Sequence, residues 1–304
     1  MVLDEGGKRT PTTTCALIGA YRISGFIIDN GDPIQMGVFC ESASNPEYWN
    51  MFQKVLTTLI LTKTGQTTLH GMFLDEQFRM HTPILTSFIN HNFYHSQMVD
   101  AVKSVAPSAN VKFFKDLFSD KLGVAHNFVV VIVKESKSFI ESSSNSIYNP
   151  ATQYFAIELM QEAVRRLQLA ECTADRDMTI ANITPYKAEA TMVQTEINHR
   201  GLKNCDALVS EVVQGIGRNG VFLTLPNVQR LTEFGTEPRR LLVELTRHRE
   251  GLAIIIPDGA LEYENYGFSS EAEMYRGPMG KVKSLVDMAK AQGVCVEMPA
   301  PDTS

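Results

Sequence analysis

The sequence predicts an α/β fold, a mostly parallel sheet with helices on both faces, and three observations predict it. From residue 83 onward, strand-like and helix-like segments alternate repeatedly, as they do when crossover helices keep successive strands parallel. The run Asn127 to Val133 is continuously apolar after its first residue, as expected of a strand covered on both faces. Between such runs lie stripes at helical spacing, for example Phe155, Leu159, Ala163 and Leu167, each suited to packing on a sheet.

In chain order, Met1-Val2-Leu3 leads directly into Asp4-Glu5. Ser24 to Ile28 reads as a strand, closed by the turn cluster Asp29-Asn30-Gly31-Asp32-Pro33. Tyr48 to Leu61 has helical spacing, and the polar stretch Thr62 to Thr68 reads as a domain junction. Pro83 to Met98 is expected as a helix, Lys103 to Ala125 shows no regular pattern, and Lys134 to Asn149, rich in Ser and Lys, reads as an exposed loop. Helices are expected over Ala151–Leu169, Ala188–Asn198 and Arg239–Arg249. Strands are expected over Met178–Ile183, Ala207–Val213, Val221–Leu225 and Leu252–Ile256. From Gly259 the chain turns polar, with Lys281 to Ala291 as a last helix. The expected parts are residues 1–65, 66–260 and a polar tail, 261–304.

Composition narrows the function. Hydrophobic residues are 44% and charged residues 20% of the 304, ordinary for a globular protein and too apolar for a disordered one. A net charge of -6 argues against a wholly basic nucleic-acid coat and leaves room for a local cluster of Lys and Arg. Cys15, Cys40, Cys172, Cys205 and Cys295 form no Cys-x-x-Cys pair, which favours a reducing compartment without a zinc site. Asp4 and Glu5 stand where a signal peptide carries basic residues, and the apolar runs are strand-length. The expectation is an intracellular protein, cytoplasmic or nuclear, with no membrane span.

Several stretches carry possible chemistry. In an acidic pair such as Asp4-Glu5, one carboxylate suits Mg²⁺ while the other activates water. The segment Leu74-Asp75-Glu76-Gln77-Phe78-Arg79-Met80-His81 reads as a strand end delivering Gln77 and Arg79 to a site. Arginine's planar, permanently charged fork suits a phosphate. Thr184-Pro185-Tyr186 follows a strand and opens a helix, where a hydroxyl and helix N-terminal amides suit a phosphate. Gln214 to Gly220 contains a literal Gly-x-Gly-x-x-Gly. A dinucleotide fingerprint must open a helix, and here the β-rich Val221 to Leu225 follows, so that reading is rejected. His91 and His95 lie one helical turn apart without a third ligand at metal-site spacing.

Taken in order, these stretches resemble superfamily 1 helicases, in the group that contains the nonsense-mediated-decay helicase. Leu74 to His81, followed by Asn90-His91-Asn92-Phe93-Tyr94, resembles motif IV. Asp4-Glu5 with Gly31-Asp32-Pro33-Ile34-Gln35 follows motifs II and III. Thr184-Pro185-Tyr186-Lys187-Ala188-Glu189 matches a Thr-Pro-Tyr-x-x-Gln element, with Glu189 in place of Gln. Gln214-Gly215 begins motif V, with Gly217 where the family has Glu. Arg239 to Leu252 resembles motif VI, with Glu244 where the family has Ala.

The resemblance implies two RecA-like P-loop NTPase domains with ATP at their interface and a single strand of RNA or DNA across the top. It assigns Asp4 to Mg²⁺, Glu5 to the general base and Gln35 to sensing the γ-phosphate. It places Arg79 and Arg247 on the transferring phosphate, with Arg247 as arginine finger. Gln77, Phe78, Gln214 and Gly215 fall to the nucleotide, and Thr184, Pro185 and Tyr186 to the nucleic acid. Gly-x-x-x-x-Gly-Lys-(Ser/Thr) occurs nowhere in the chain, so no lysine and backbone nest cradle the phosphates. Residues 1–65 are then expected to be the remnant of a first domain and 66–260 a near-complete second one. The chain is expected to be the C-terminal part of an ATP-dependent helicase, partnered by a missing N-terminal domain and inactive as an ATPase alone. The alternative is a degenerate relative that binds nucleic acid or a protein partner without turnover.

Overall fold

The structure is a computed structural model in which the described residues are 2–3, 28–29, 32, 35, 74–104, 107–227, 235, 237–266, 269–276 and 279–301. The chain divides into two units, Met1–Asp75 and Glu76–Ser304. In the first, strands β1 (Val2–Leu3) and β2 (Ile28–Asp29) pair in parallel, Val2 beside Ile28. The helix expected over Tyr48–Leu61 and the junction at Thr62–Thr68 lie outside the described residues.

The second unit begins with β3 (Glu76–Gln77), α1 (Pro83–Phe93), β4 (Val99–Asp100) and α2 (Ala109–Leu122). Then come β5 (Phe128–Lys134), the short strands β6 (Phe139–Ile140) and β7 (Ile147–Tyr148), α3 (Pro150–Leu167), β8 (Ile180–Thr184) and α4 (Lys187–His199). The chain continues through β9 (Cys205–Val209), β10 (Arg218–Thr224), α5 (Pro238–Leu245), β11 (His248–Pro257), α6 (Glu271–Arg276), α7 (Gly280–Ala291) and β12 (Cys295–Pro299). Six strands form one parallel sheet in the order β12-β5-β11-β10-β8-β9. The connections through α3 and α4 step one way along it, and those through α5 and α7 step back. Right-handed crossovers therefore place the two sets of helices on opposite faces. Strand β5, flanked by β12 and β11, is buried from Phe128 to Val133, as its apolar run requires.

Local chemistry sets several boundaries differently from the sequence reading. Helix α1 stops at Phe93, five residues before the expected Met98, because His95 and Ser96 adopt positive φ of 50° and 62°. The stretch read as irregular contains α2, capped by the Ser108 hydroxyl accepting from the Val111 amide at 3.3 Å and closed by Gly123 at φ 72°. Its buried residues Val111, Phe114, Leu117, Phe118 and Leu122 follow helical spacing. The expected loop Lys134–Asn149 contains the antiparallel hairpin β6–β7, with Phe139 opposite Tyr148. The helix expected to run to Arg249 ends at Leu245, where the Thr246 hydroxyl donates back to the Leu242 carbonyl at 2.8 Å. The segment read as a polar tail carries α7 and ends in β12, which pairs Cys295 with Val130 at the edge of the main sheet. The five residues of β12, Cys-Val-Glu-Met-Pro, are too few to show a strand period.

Phenylalanines of α2 key this helix into the sheet. Phe114 is fully buried, and a Cβ on Gly220 or Gly251 would stand 2.3 Å or 2.2 Å from its ring. Those two glycines are register partners on β10 and β11, so together they form a notch that admits one aromatic ring.

Candidate functional site

Three segments distant in sequence meet at the N-terminal end of the parallel sheet. The His81 amide donates to the Arg249 carbonyl at 2.7 Å. The Asn127 side chain donates to both the His81 carbonyl (2.8 Å) and the Glu250 carbonyl (2.6 Å), clamping the loop after β3 to the start of β11. The Arg218 amide donates to the Arg247 carbonyl at 2.9 Å, which brings in the loop before β10. Arg79 donates from Nη1 to the Thr246 carbonyl at 3.4 Å. The motif IV, V and VI stretches are thus neighbours, with Arg79 exposed.

Within the motif IV stretch, Gln77 is a brace. Its Oε1 accepts from the amides of Arg79 (3.0 Å) and Met80 (2.9 Å), and its Nε2 donates to the Met80 carbonyl (3.1 Å) and the Asp100 carboxylate (2.5 Å). The side chain assigned to nucleotide is therefore spent on shaping the loop that presents Arg79. Phe78 is 68% exposed, so its ring is open to a ligand.

Arg247 is 2% exposed and directs its guanidinium back to its own helix end: Nε donates to the Val243 carbonyl and Nη2 to the Thr246 hydroxyl, both at 2.8 Å. Beside it, His248 is fully buried with Nε2 2.7 Å from the Thr82 hydroxyl. Burial, aided by the charges of Arg79, Arg247 and His81, pushes the imidazole down to about 3, so it is neutral at pH 7. Glu244, one turn before Arg247, is fully buried and hydrogen-bonded to the Ser210 hydroxyl. Desolvation raises its carboxyl to about 8 against the opposing Ser210 hydrogen bond and Arg240 charge. The side chain is neutral at pH 7 and does not compete for the Arg247 charge.

Each glycine of the Gly-x-Gly-x-x-Gly stretch has a different reason. Gly215 takes φ 81°, a turn conformation other residues resist. Gly220 belongs to the Phe114 notch. Gly217 leaves open the space beside Arg249, whose Nε would lie 3.6 Å from an added Cβ. No hydrogen bond or ion pair of the exposed Arg249 side chain is found among the described residues. Sequence reasoning missed this cation, since its setting depends on Gly217 thirty-two residues earlier. Gln214, next to Gly215, is buried.

The Thr-Pro-Tyr element sits at the other end of the sheet, roughly 20 Å away across the seven residues of β10. Thr184, Pro185 and Tyr186 are all buried. The Thr184 hydroxyl accepts from the Tyr186 amide at 3.4 Å, and the Ala188 amide donates to the Ser146 hydroxyl at 3.0 Å. The Tyr186 and Ala188 amides, expected to face a phosphate, are thus bonded within the fold. Glu189 is fully buried and joins two helix starts, accepting from the Asn149 amide (2.9 Å), the Thr152 hydroxyl (2.8 Å) and Gln153 Nε2 (2.8 Å). Desolvation outweighs these bonds and lifts its carboxyl to about 7.

The acids assigned to Mg²⁺ and water activation, Asp4 and Glu5, lie outside the described residues. Gln35 donates to the Asp32 carboxylate at 2.9 Å within its turn. Among the described residues no group of three His, Cys, Asp or Glu is placed to hold a metal ion. No helix among them is long and apolar enough to cross a membrane. At this end of the sheet Arg79 and Arg249 are exposed cations, and Arg247 is buried against its own helix end.

The sequence profile of an AAA domain family (AAA_12) matches residues 51–258. A search of curated proteins gave no match. Among solved structures, the chain is similar to Arterivirus nonstructural protein 10 (helicase) at 12% identity and TM-score 0.39, over 90% of this chain and 40% of that one. The same protein with DNA gives 15% identity and TM-score 0.38, over 84% and 38%. The C-terminal domain of a possible DNA helicase from Lactobacillus plantarum WCFS1 gives 14% identity and TM-score 0.32, over 52% of this chain and 90% of that one. The chain thus spans about two fifths of the Arterivirus protein's length. A RecA-like, mostly parallel sheet flanked by helices, consistent with a P-loop NTPase fold, accords with the profile match, and the chain belongs to the AAA domain family.

Proposed function

We propose that this chain is the C-terminal, RecA-like part of an ATP-dependent superfamily 1 helicase, contributing arginines to a nucleotide held mainly by another domain. The observation that carries the reading is the convergence of the motif IV, V and VI stretches at one end of the sheet, with Arg79 bonded to Thr246 and Arg218 to Arg247. The arginine charge suits a phosphate chain, because a guanidinium offers paired donors to its oxygens. In this role Arg79 acts from the surface. Arg247 leaves the Thr246 hydroxyl to reach phosphate when the nucleotide and its other domain are in place. ATP with Mg²⁺ would supply the phosphoryl chemistry. Asp4, as metal ligand, Glu5, as base, and Gln35, as phosphate sensor, are proposed from the motif order alone. Single-stranded RNA or DNA is the proposed polymer.

The test is a titration of the full chain with tripolyphosphate, followed through the guanidinium NMR signals of Arg79, Arg247 and Arg249, beside an assay of phosphate release from ATP. Shifts confined to these arginines, lost in Arg79→Ala, are expected, with no nucleic-acid-stimulated phosphate release. Unmoved arginine signals would refute the anion site; phosphate release would refute the need for another domain.

A second reading, a relative that binds nucleic acid or a protein without turnover, draws on one observation. Gly217 stands where the resemblance calls for an acid, so this loop offers Arg249 no carboxylate, and Glu250 is the acid next to that cation.

A further inference from the structure

We propose that the hairpin β6–β7 is a base-stacking platform for single-stranded nucleic acid. The inference rests on the nucleic-acid reading above and moves the contact surface to residues that the motif resemblance does not mark. The Thr-Pro-Tyr element is buried, and the hairpin is fastened to the helix that follows it: Ser146, just before β7, takes the Ala188 amide at 3.0 Å.

Its outer surface has the chemistry that unpaired bases require. The rings of Phe139 and Tyr148 stack with centroids 5.6 Å apart and planes at 25°. Phe139 is 46% exposed and Ile140, beside it, 67%. Cross-strand aromatic stacking holds the rings flat without burying them, so an aromatic face stays open to a base. The hairpin is short but internally braced. The Glu141 amide donates to the Ser146 carbonyl at 2.8 Å, and Asn145 turns the chain at φ 54°. Glu141 is engaged by the Ser144 hydroxyl.

Charge favours a nucleic acid as the occupant. Lys137 leads into β6 and Lys187 opens the helix beneath the hairpin; both are exposed, and neither has an ion-pair partner among the described residues. Glu135 and Glu141 are the acids near them, so the phosphate contribution is modest and stacking dominates. The position at the C-terminal ends of the strands is also where open α/β sheets bind ligands.

The experiment is fluorescence-anisotropy titration of the full chain with fluorescein-labelled U12 and dT12, across a salt series, for wild type, Phe139→Ala, Tyr148→Ala, Phe139→Trp and the double variant Lys137→Gln/Lys187→Gln. Thermal melts establish that each variant folds. The aromatic truncations are expected to weaken binding about tenfold or more, and Phe139→Trp to retain it. The lysine double variant is expected to lower the salt slope by about 1 to 1.4. Wild-type binding that the folded aromatic truncations leave unchanged overturns the platform and leaves the nucleic-acid reading standing. Absence of wild-type binding overturns both. Concentration-dependent dimerisation abolished by Phe139→Ala, with oligonucleotide binding unaffected, also overturns the platform by assigning the surface to a second copy of the chain.

Discussion

Replacing Gly220 by alanine tests the notch on which the sheet and α2 depend. The added methyl would stand 2.3 Å from Phe114 Cζ and 2.6 Å from Cε1. Ordinary carbon contacts lie at about 3.5 to 4.0 Å, so the ring must retreat by more than about 1 Å. It has little room to do so. Phe114 is fully buried, meets Phe113 edge-on at 5.4 Å and lies 6.0 Å from Phe118, which in turn touches Phe222. Overpacking of this kind costs about 1–3 kcal/mol, against about 0.4–1 kcal/mol regained by restricting the unfolded chain. A net loss of about 1–2 kcal/mol is expected in urea unfolding of the full chain. Phe114→Leu alone leaves a gap and also destabilises. In the double variant the smaller side chain admits the methyl, so the two losses should be less than additive by about 1 kcal/mol. A Gly220→Ala protein as stable as wild type, or strict additivity in the double variant, would refute the notch.

Other expectations follow from the arginine site and the buried acids. Arg79→Ala should leave unfolding stability within about 0.5 kcal/mol of wild type while abolishing tripolyphosphate binding, because Arg79 is exposed. Arg247→Ala should lower stability by about 1–3 kcal/mol, since the bonds to Val243 and Thr246 are buried. Equal stability losses in urea for the two variants would contradict their different burial. Glu244 and Glu189 titrate near 8 and 7 in the fold, against an ordinary 4.5. Each folded pKa is raised, so the stability they confer is complete below about 4.5 and lost as pH rises toward 7 to 8. His248, lowered to about 3, acts oppositely and takes stability away as pH falls from 6.5 to 3. The chain should thus melt lower at pH 8 than at pH 6, with a shallower decline in Glu244→Gln; parallel melting-versus-pH curves would show that Glu244 is not the group involved. Gly217→Glu should place a carboxylate beside Arg249 and weaken tripolyphosphate binding several-fold in calorimetry, with unchanged affinity counting against Arg249 as part of the site.

The alternating segments, the apolar run of β5 and the rejection of a dinucleotide fold at Gly215–Gly220 were all legible in the sequence. Each rests on local periodicity, and a period of two or 3.6 residues is written into adjacent positions. Local pattern also placed Lys281–Ala291 within a helix. It failed for α2, whose clustered phenylalanines and lysines obscured its stripe, and for β12, whose five residues are too few to show a period. The motif stretches were visible as residues, but their geometry was not. That Gln77 braces a loop, that Arg247 turns back to its own helix and that Thr184 faces inward depend on hydrogen bonds and burial, which composition does not carry. The pairing of Gly220 with Gly251, the space between Gly217 and Arg249 and the hairpin over Ala188 are set by strand register and chain crossing. The sequence by itself determined the inner strands and the alternation that makes the sheet parallel, because the apolar pattern dictates the face each segment must bury. Only the tertiary structure decided which side chains of the motif stretches remain open to a ligand, because that depends on partners brought from distant parts of the chain.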